Sequence, residues 1–479
     1  MATIAAMVPS VPHADTVLST LPNGLRVATV QMPWRETVSL SVFVRTGSQH
    51  ESRRQNGISH VVEHMAFKGT LTRDCQRINL DAERLGAEVN AHTDKDHTAF
   101  HIEGLARDLG AFVPMLADIV QCSTFPEAEL ERERQVILHE FTEFEEDPMS
   151  AAFTLFDRVL YGEHPLGRPV IGTRGNVRRF SRQELIDYVR NQYTAANVVV
   201  AAAGAFDAQR FVRDVETAFG TMPSGAENSV PDPVAAGGVK TRRMVGSTQC
   251  QVVLGFATPS LRGDHLPHVL AAALLGEGMS SPLLDEIRER RGLAYYAACS
   301  ADVSPLAGQF VIEAATAPEH AEELLVEVMR LLRAQAECVD KLGLERARNQ
   351  LLVRALRGRE QPSRRLELRR RRSSRSASRS RPSRPWIGCV PSPRRRCATR
   401  WPACWPVRRP WRWPGACRGV PPSAWPSSWA ATRIDGRRGR FSFRRRRGSS
   451  RSRASWLRIP KRCACSPACV RGGGVCIDA

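Results

Sequence analysis

The sequence has no run of about 18 consecutive apolar residues, the length that a membrane-spanning helix requires. Its first residues lack both the basic-then-apolar pattern of a secretory signal and the arginine-rich character of a mitochondrial presequence. The five cysteines before residue 361 are widely scattered and show no paired spacing, as is typical of reduced thiols. These absences predict a cytoplasmic protein without a membrane partner. They favour the cytoplasm over the mitochondrial matrix as its location.

Acidic residues are almost missing from residues 362–479, which contain three of them against 32 lysines and arginines. Residues 1–361 contain 46 acidic and 37 basic residues and carry a net charge of −9. The net charge of +20 for the whole chain therefore arises from the tail. Because the globular part is mildly acidic, the overall charge does not predict a nucleic-acid partner for it.

Strand-like and helical patterns alternate along most of the chain, with helices grouped between strands. This mixture predicts an α+β fold, in which each lobe is a mostly antiparallel sheet with helices packed on it. We expect an N-terminal extension over 1–16 and a first lobe over 17–222. The Gly/Pro/Ser-rich segment 223–238 predicts a linker, and 239–368 predicts a second lobe.

The second lobe repeats the pattern of the first. "LDEIRERRG" resembles "LDAERLGAE", and "LERARNQLL" resembles "LERERQVIL". The matched segments are separated by similar distances of 204 to 214 residues. A steady offset over several elements indicates that one domain was duplicated.

The duplication also isolates a motif. "HVVEH" at His60 aligns with "HVLAA" at His268, so that Glu63 and His64 correspond to Ala271 and Ala272. The second copy of the helix forms without these polar residues, and their presence in the first copy therefore indicates chemistry.

The spacing of the "HVVEH" motif suits a metal site. On a helix, His60 and His64 lie one turn apart on one face and can both bind one zinc ion, while Glu63 borders the same face. We expect Asn56 or Ser59 to cap this helix and Gly69 to end it. Two histidines leave a catalytic zinc site one protein ligand short.

A second helix offers the missing ligand. In "ELERERQVILHEFTEFEED", Glu133 and Glu140 are seven residues apart and share one helix face. His139 is a competing candidate, although it points about 100° away from Glu140. Other competing candidates are His92, His97 and His101, which we interpret as surface or packing histidines.

"HxxEH" is the inverted form of the HExxH zinc motif. Together with "ERERQVILHE" downstream, it resembles the pitrilysin/insulinase metallopeptidases, and most of all the processing-peptidase branch with its mitochondrial beta subunits and bacterial homologues. The segments "TLPNGLRV", "HMAFKGT", "NAHTDKDHTAFH" and "LLGEGMSSPLLDEIRERRGLAYYA" also resemble this branch. The resemblance covers roughly residues 17–361.

The resemblance implies one zinc ion per chain, held by His60, His64 and Glu140. It implies that Glu63 is the base that takes a proton from the metal-bound water, and that Glu133 is an accessory acid near the ligands. It also implies a bacterial cytoplasmic endopeptidase.

The same resemblance implies how a substrate would bind. Asn90 and Ala91 would lie on an edge strand that holds an unfolded peptide or presequence-like segment as an added strand. Arg288 and Tyr295 would reach the peptide from the second lobe. The protein would act as a homodimer or with a homologous second subunit. The alternative is an inactive, structural relative of the processing peptidases.

The Arg/Ser/Pro/Trp-rich segment 369–479 shows neither helical nor strand periodicity. One interpretation is an aromatic-interleaved tail that binds nucleic acid. We favour the other, in which the reading frame is lost near 362–370, because the second lobe should continue to about residue 437 by the repeat offset. The tail would then be disordered or out of frame, and the second lobe incomplete.

Overall fold

The computed structural model describes residues 16–373 and 473–478, with side chains described up to residue 367. It confirms the α+β class and the two homologous lobes, each a mostly antiparallel sheet with helices packed on it. None of the helices in these two ranges is both long and apolar enough to cross a bilayer.

The first lobe contains a six-stranded sheet. Its strands are β1 (Thr16–Thr20), β2 (Arg26–Gln31), β3 (Thr37–Val44), β4 (Glu88–Thr93), β5 (Thr98–Leu105) and β6 (Val198–Gly204). Its helices are α1 (Ile58–Ala66), α2 (Cys75–Glu83), α3 (Leu109–Gln121), α4 (Glu127–Glu146), α5 (Pro148–Tyr161), α6 (Arg174–Arg179), α7 (Arg182–Gln192) and α8 (Ala208–Phe219). The strand order is β1-β2-β6-β3-β5-β4, in which β2 and β6 run parallel and all other neighbours run antiparallel. The strand β4 is therefore an edge of this sheet.

The second lobe is built on a five-stranded sheet. Its strands are β7 (Gly238–Arg242), β8 (Cys250–Thr258), β9 (Ala294–Val303), β10 (Gly308–Thr316) and β11 (Gly473–Asp478). Its helices are α9 (Leu266–Gly276), α10 (Pro282–Leu284), which continues as a π-helical turn over Asp285–Arg290, α11 (Ala321–Glu337), α12 (Lys341–Glu360) and α13 (Pro362–Ser373). The strand order is β7-β11-β8-β10-β9.

Apart from β1, the strands of the first sheet correspond one by one to the described strands of the second. In each, a parallel pair (β2 with β6, β7 with β11) is followed by three antiparallel pairings. The helix α9 follows β8 as α1 follows β3, and α12 takes the place of α4. In the described part of the second lobe, no helices correspond to α6, α7 and α8.

The strand β11 lies in the tail, where we expected no periodic structure. Its backbone pairs with β7 on one side and β8 on the other, in the position that β6 takes in the first lobe. Backbone hydrogen bonding places few demands on side chains, so this pairing leaves no strong mark in the sequence. The helix α13 also runs past residue 368, where the repeat pattern stops. The frame loss predicted near 362–370 falls within α13, whereas most of the predicted nucleic-acid or out-of-frame tail falls on 374–472, outside the described residues.

One helix of each lobe packs on the sheet of the other lobe. Phe156 of α5 is fully buried against Val253 and Val311 of the second sheet. In return, Leu366 of α13 is fully buried in an apolar cluster on the first sheet that includes Ala201 and Phe43. The remaining helices of the first lobe cover the opposite face of its sheet and form the largest apolar core.

Candidate metal centre

The helix α1 is held at its start by a buried carboxylate that the sequence did not reveal. The side chain of Glu51 accepts hydrogen bonds from the backbone N–H groups of Gly57 (2.8 Å) and Ser59 (2.9 Å), and from Asn56 Nδ2 (3.0 Å). These bonds satisfy amides that the first helical turn leaves without partners, and the negative charge complements the helix dipole. Burial raises the pKa of Glu51, although these hydrogen bonds oppose the rise.

The expected helix boundaries were therefore wrong in detail. Neither Asn56 nor Ser59 caps α1, since the N-cap is Gly57 in the left-handed region with φ of 100°. The helix ends at Ala66, before Gly69. Gly57 is required there because a Cβ at this position would lie 2.8 Å from the carbonyl oxygen of Ile171.

Two helices converge at the motif. His60 and His64 of α1 lie with their ring centroids 4.7 Å apart, in a T-shaped arrangement. Glu140 of α4 brings Oε2 to 3.7 Å from His60 Nε2 and 3.5 Å from His64 Nε2. Ligands of tetrahedral zinc at 2.0–2.1 Å from the metal are separated by about 3.4 Å. The two imidazoles and the carboxylate thus fit a zinc ion in both donor type and spacing.

Glu133 lies behind this group of donors. Its Oε2 is 3.1 Å from His64 Nδ1, and its Oε1 is 2.6 Å from Lys68 Nζ. A carboxylate on Nδ1 fixes the imidazole tautomer in which Nε2 is free to bind a metal. Lys68 was not predicted, although "HMAFKGT" places it one helical turn after His64.

Glu63 borders the donors with one carboxylate oxygen free. Thr93 of β4 donates a hydrogen bond to the carboxyl group, and Oε2 has no partner among the described residues. Nδ1 of His60 also lacks a partner in that part of the chain. Burial raises the pKa of Glu63, which makes it a stronger base than a solvated glutamate.

The two histidines differ in their affinity for protons. Burial lowers the pKa of His60 to about 4, and the neighbouring His64 adds to this effect. Burial also lowers the pKa of His64, but the hydrogen bond to Glu133 and the carboxylates of Glu140 and Glu63 outweigh it, so that the net shift is upward. In Glu133, the bonds from His64 and Lys68 outweigh burial and lower the pKa. His60 is thus ready for a metal, whereas His64 must lose a proton at mildly acidic pH.

The candidate substrate residues lie in two places. Asn90 and Ala91 lie on the edge strand β4, with Asn90 exposed and Ala91 partly buried against the core. In the second lobe, the guanidinium of Arg288 lies 4.7 Å from the ring centroid of Tyr295, a cation–π pair whose tyrosine is 81% exposed. The structure brings these last two residues together.

The rival third ligands lie elsewhere. His139 is exposed on α4, with Nε2 3.6 Å from Glu143 Oε1. His92, His97 and His101 cluster on the other face of the first sheet, where His92 contacts both of the others. In the described part of the chain, Glu140 is the residue that completes a possible metal-binding group with His60 and His64.

The second lobe has the same helices without the donors. Ala271 and Ala272 are buried on α9 in the positions of Glu63 and His64. In the register that aligns α12 with α4, Ala347 and Arg354 replace Glu133 and Glu140, and Arg354 pairs with Glu277 instead. The duplicated fold therefore offers one such group of donors, in its first lobe.

Comparison with known proteins agrees with this asymmetry. Residues 26–174 match the family profile described as Insulinase (Peptidase family M16), and residues 179–351 match one described as Peptidase M16 inactive domain. An uncharacterized zinc protease of Rickettsia felis is 32% identical over 337 residues, which are 70% of this chain and 81% of the relative. The chain belongs to peptidase family M16.

Two further comparisons bear on the M16 assignment. The beta subunit of the mitochondrial-processing peptidase of Lentinula edodes is 35% identical over 272 residues, or 56% of this chain and 55% of that protein. The crystal structure of a Helicobacter pylori protease covers 73% of this chain and 87% of its own, with a TM-score of 0.68 and 23% identity. The latter similarity supports the two-lobed fold. The resemblance to processing peptidases and to zinc proteases is thus confirmed at the level of the family.

Proposed function

We propose that this M16 protein is a zinc-dependent endopeptidase that cleaves unfolded peptides or presequence-like segments. The observation that carries the proposal is the convergence of His60, His64 and Glu140 beside the free carboxylate oxygen of Glu63. One zinc ion bound by these three residues would polarise the scissile carbonyl and acidify an attacking water. A catalytic site needs an acceptor for the proton of that water, and Glu63, whose carboxyl group interacts electrostatically with His64 and Glu140, can be that base.

The other residues of the site have supporting roles. Glu63 takes the proton of the attacking water and returns it to the leaving amine, for which its raised pKa suits it. Glu133 holds His64 in the correct tautomer and is a positioning residue. Lys68 offsets the negative charge of Glu133, so that the Glu133 carboxylate does not compete with the three ligands for the metal ion.

The substrate would bind as an added strand on β4. Among the described residues that strand pairs with β5 alone, which leaves its other edge for a peptide backbone beside Asn90 and Ala91. Backbone pairing tolerates many sequences but requires an extended chain, which favours unfolded substrates. We place Arg288 and Tyr295 on the partner lobe as contacts for substrate side chains, since Tyr295 exposes most of its ring.

We further propose that the chain acts as a homodimer or with a homologous subunit, because a relative is named as the beta subunit of a peptidase. The five cysteines in the described part are all free, which supports a reducing compartment such as the bacterial cytoplasm.

The decisive experiment measures zinc content and cleavage of an unstructured peptide for the parent and for Glu63→Gln. The variant should keep its zinc and lose activity by about 10²- to 10⁴-fold, the usual contribution of a general base. If the variant cleaves as fast as the parent, Glu63 is not the base. If the zinc-loaded parent does not cleave, the alternative of an inactive structural relative is correct.

A further inference from the structure

The strand β4 has two chemically different sides. The side chain of Thr93 points towards α1, where it binds Glu63. Because successive side chains of a strand point to opposite faces, His92 points away from that centre. On this outer face it meets His97, which lies just beyond the turn that joins β4 to β5, and Asp94 begins that turn.

The three side chains meet at the distances of a metal site. Nε2 of His92 lies 3.3 Å from Nε2 of His97, and the two rings are nearly perpendicular at 87°. One potential ligand atom from each of His92, Asp94 and His97 lies within 4.8 Å of the others. Two nitrogen ligands on one tetrahedral zinc ion are about 3.4 Å apart. The two facing nitrogens therefore have the spacing that a shared metal ion would impose.

His97 is also oriented as a metal ligand. Its side chain is 1% exposed, and its Nδ1 lies 2.8 Å from Asp96 Oδ1 and 3.9 Å from Asp94 Oδ2. A carboxylate on one ring nitrogen is the usual second partner of a metal-bound histidine, since it leaves the other nitrogen as a lone-pair donor. His64 and Glu133 show the same arrangement in the first centre.

The turn that carries these residues is fixed before any ion binds. The backbone N–H groups of Ser48 and Gln49 donate to the carbonyls of Asp94 (3.3 Å) and Lys95 (2.9 Å). The contact requires Gly47, because a Cβ there would lie 2.2 Å from the Asp94 carbonyl oxygen. A fixed turn holds its ligands in place and reduces the entropy cost of binding an ion.

The second lobe contributes to the same place. Glu367 of α13 brings Oε2 to 3.7 Å from His97 Nε2. Two imidazoles and two carboxylates form a donor set that zinc and other late divalent transition metals accept. A ligand from α13 would connect that helix to the outer face of the first sheet.

We propose that His92, Asp94 and His97 form a second divalent-metal site of the zinc class, with Glu367 as the fourth ligand. This site would replace our interpretation of His92 and His97 as surface or packing histidines, and it would add a metal ion to the one expected per chain. It fastens α13 of the second lobe behind β4, the strand on which the substrate is proposed to bind. Its role is structural, and it does not depend on the proposed peptidase activity.

The first test counts zinc ions in the full-length protein after equilibration with zinc and removal of the excess. The parent should hold two ions per chain, and H92Q and H97Q should each hold one. The matched control is H101Q, which changes a histidine of the same cluster outside the proposed ligand set and should keep two ions. A folded H92Q protein with as much zinc as the parent would overturn the proposal, and His92 is exposed enough for this variant to fold.

A double variant, H60Q/H64Q, separates the two centres. It should still bind one Co²⁺ ion with visible d–d absorption, and the addition of H92Q should abolish that absorption. If the double variant binds no Co²⁺, the second site does not exist, whatever the fate of the first.

The role of Glu367 is tested by thermal unfolding with and without zinc in the H60Q/H64Q background. Zinc should raise the Tm of this protein, and E367Q should reduce the rise. An equal rise in both proteins would show that Glu367 is not a ligand and that α13 is not fastened by the metal.

Discussion

Glu133 and His64 are joined by a partly buried contact of 3.1 Å between Oε2 and Nδ1, and this pair sets the orientation of Nε2, the nitrogen that we propose binds zinc. We expect Glu133→Gln to weaken zinc binding by about 10- to 100-fold, the usual effect of losing such a partner. Chelator competition would measure the affinity, and cleavage at saturating zinc should stay near the parental rate. The control is Glu131→Gln, an exposed carboxylate on the same helix that pairs with Arg134. Equal affinities for the two variants would contradict the role of Glu133.

Zinc uptake should release a proton, and the pKa directions identify its source. His60 has a pKa of about 4 in the metal-free protein, so it is already neutral above pH 5 and releases nothing. His64 has a raised pKa and is largely protonated below pH 6.5, its ordinary value, so its proton must leave when zinc binds. The release should approach one proton at mildly acidic pH and vanish well above the raised pKa.

Calorimetry in buffers of different ionisation enthalpy would count the protons released at the first centre, measured in the H92Q protein. Glu133→Gln should move the release to lower pH, because it removes a carboxylate that raises the pKa of His64. A release that is unchanged in this variant would assign the proton to another group.

Gly57 should tolerate no side chain. Its φ of 100° and the 2.8 Å approach of a Cβ to the Ile171 carbonyl predict that Gly57→Ala lowers the free energy of unfolding by roughly 1–3 kcal/mol or more. Gly24→Ala is the matched control, since Gly24 has a similar φ of 92° and no atom within 4 Å of its Cβ position. Urea unfolding would compare the two variants, and an equal loss would show that the contact with Ile171 is unimportant.

The exchange of helices predicts that one side chain of the first lobe stabilises the second. Phe156→Ala should reduce the free energy of unfolding by about 3–5 kcal/mol, the cost of deleting a buried phenyl group. Leu342→Ala, at a side chain that is 73% exposed, should have little effect. Hydrogen exchange should show that Phe156→Ala loosens β8 of the other lobe, and a loss of protection confined to the first lobe would contradict this interpretation.

The motif residues could be predicted because their spacing reflects one helix face. His60 and His64 share one helix face as their spacing predicted, whereas the choice of Glu140 as the third donor followed from the family resemblance, and the structure brings it beside them. Contacts that depend on loops were missed. Glu51 caps α1 from outside the helix, and the pair of His92 and His97 forms only because a turn folds β4 back on β5.

The packing of α5 and α13 on the sheets of the opposite lobes also could not be predicted from the sequence. An apolar helix face shows that a helix is covered, but it does not show which sheet covers it. The pairing of β11 left even less trace, because its hydrogen bonds come from the backbone.

The exchanged helices also constrain the order in which the chain can mature on the ribosome. The helix α5 is synthesised with the first lobe, but the strand β8 that covers it is translated much later. The apolar side of α5 therefore stays exposed to water and to chaperones until residues 250–258 have left the ribosome. Likewise, the face of the first sheet that Leu366 covers stays exposed until α13 has been synthesised. Neither lobe can be finished before the other, and cutting the linker between them would not yield two independent halves.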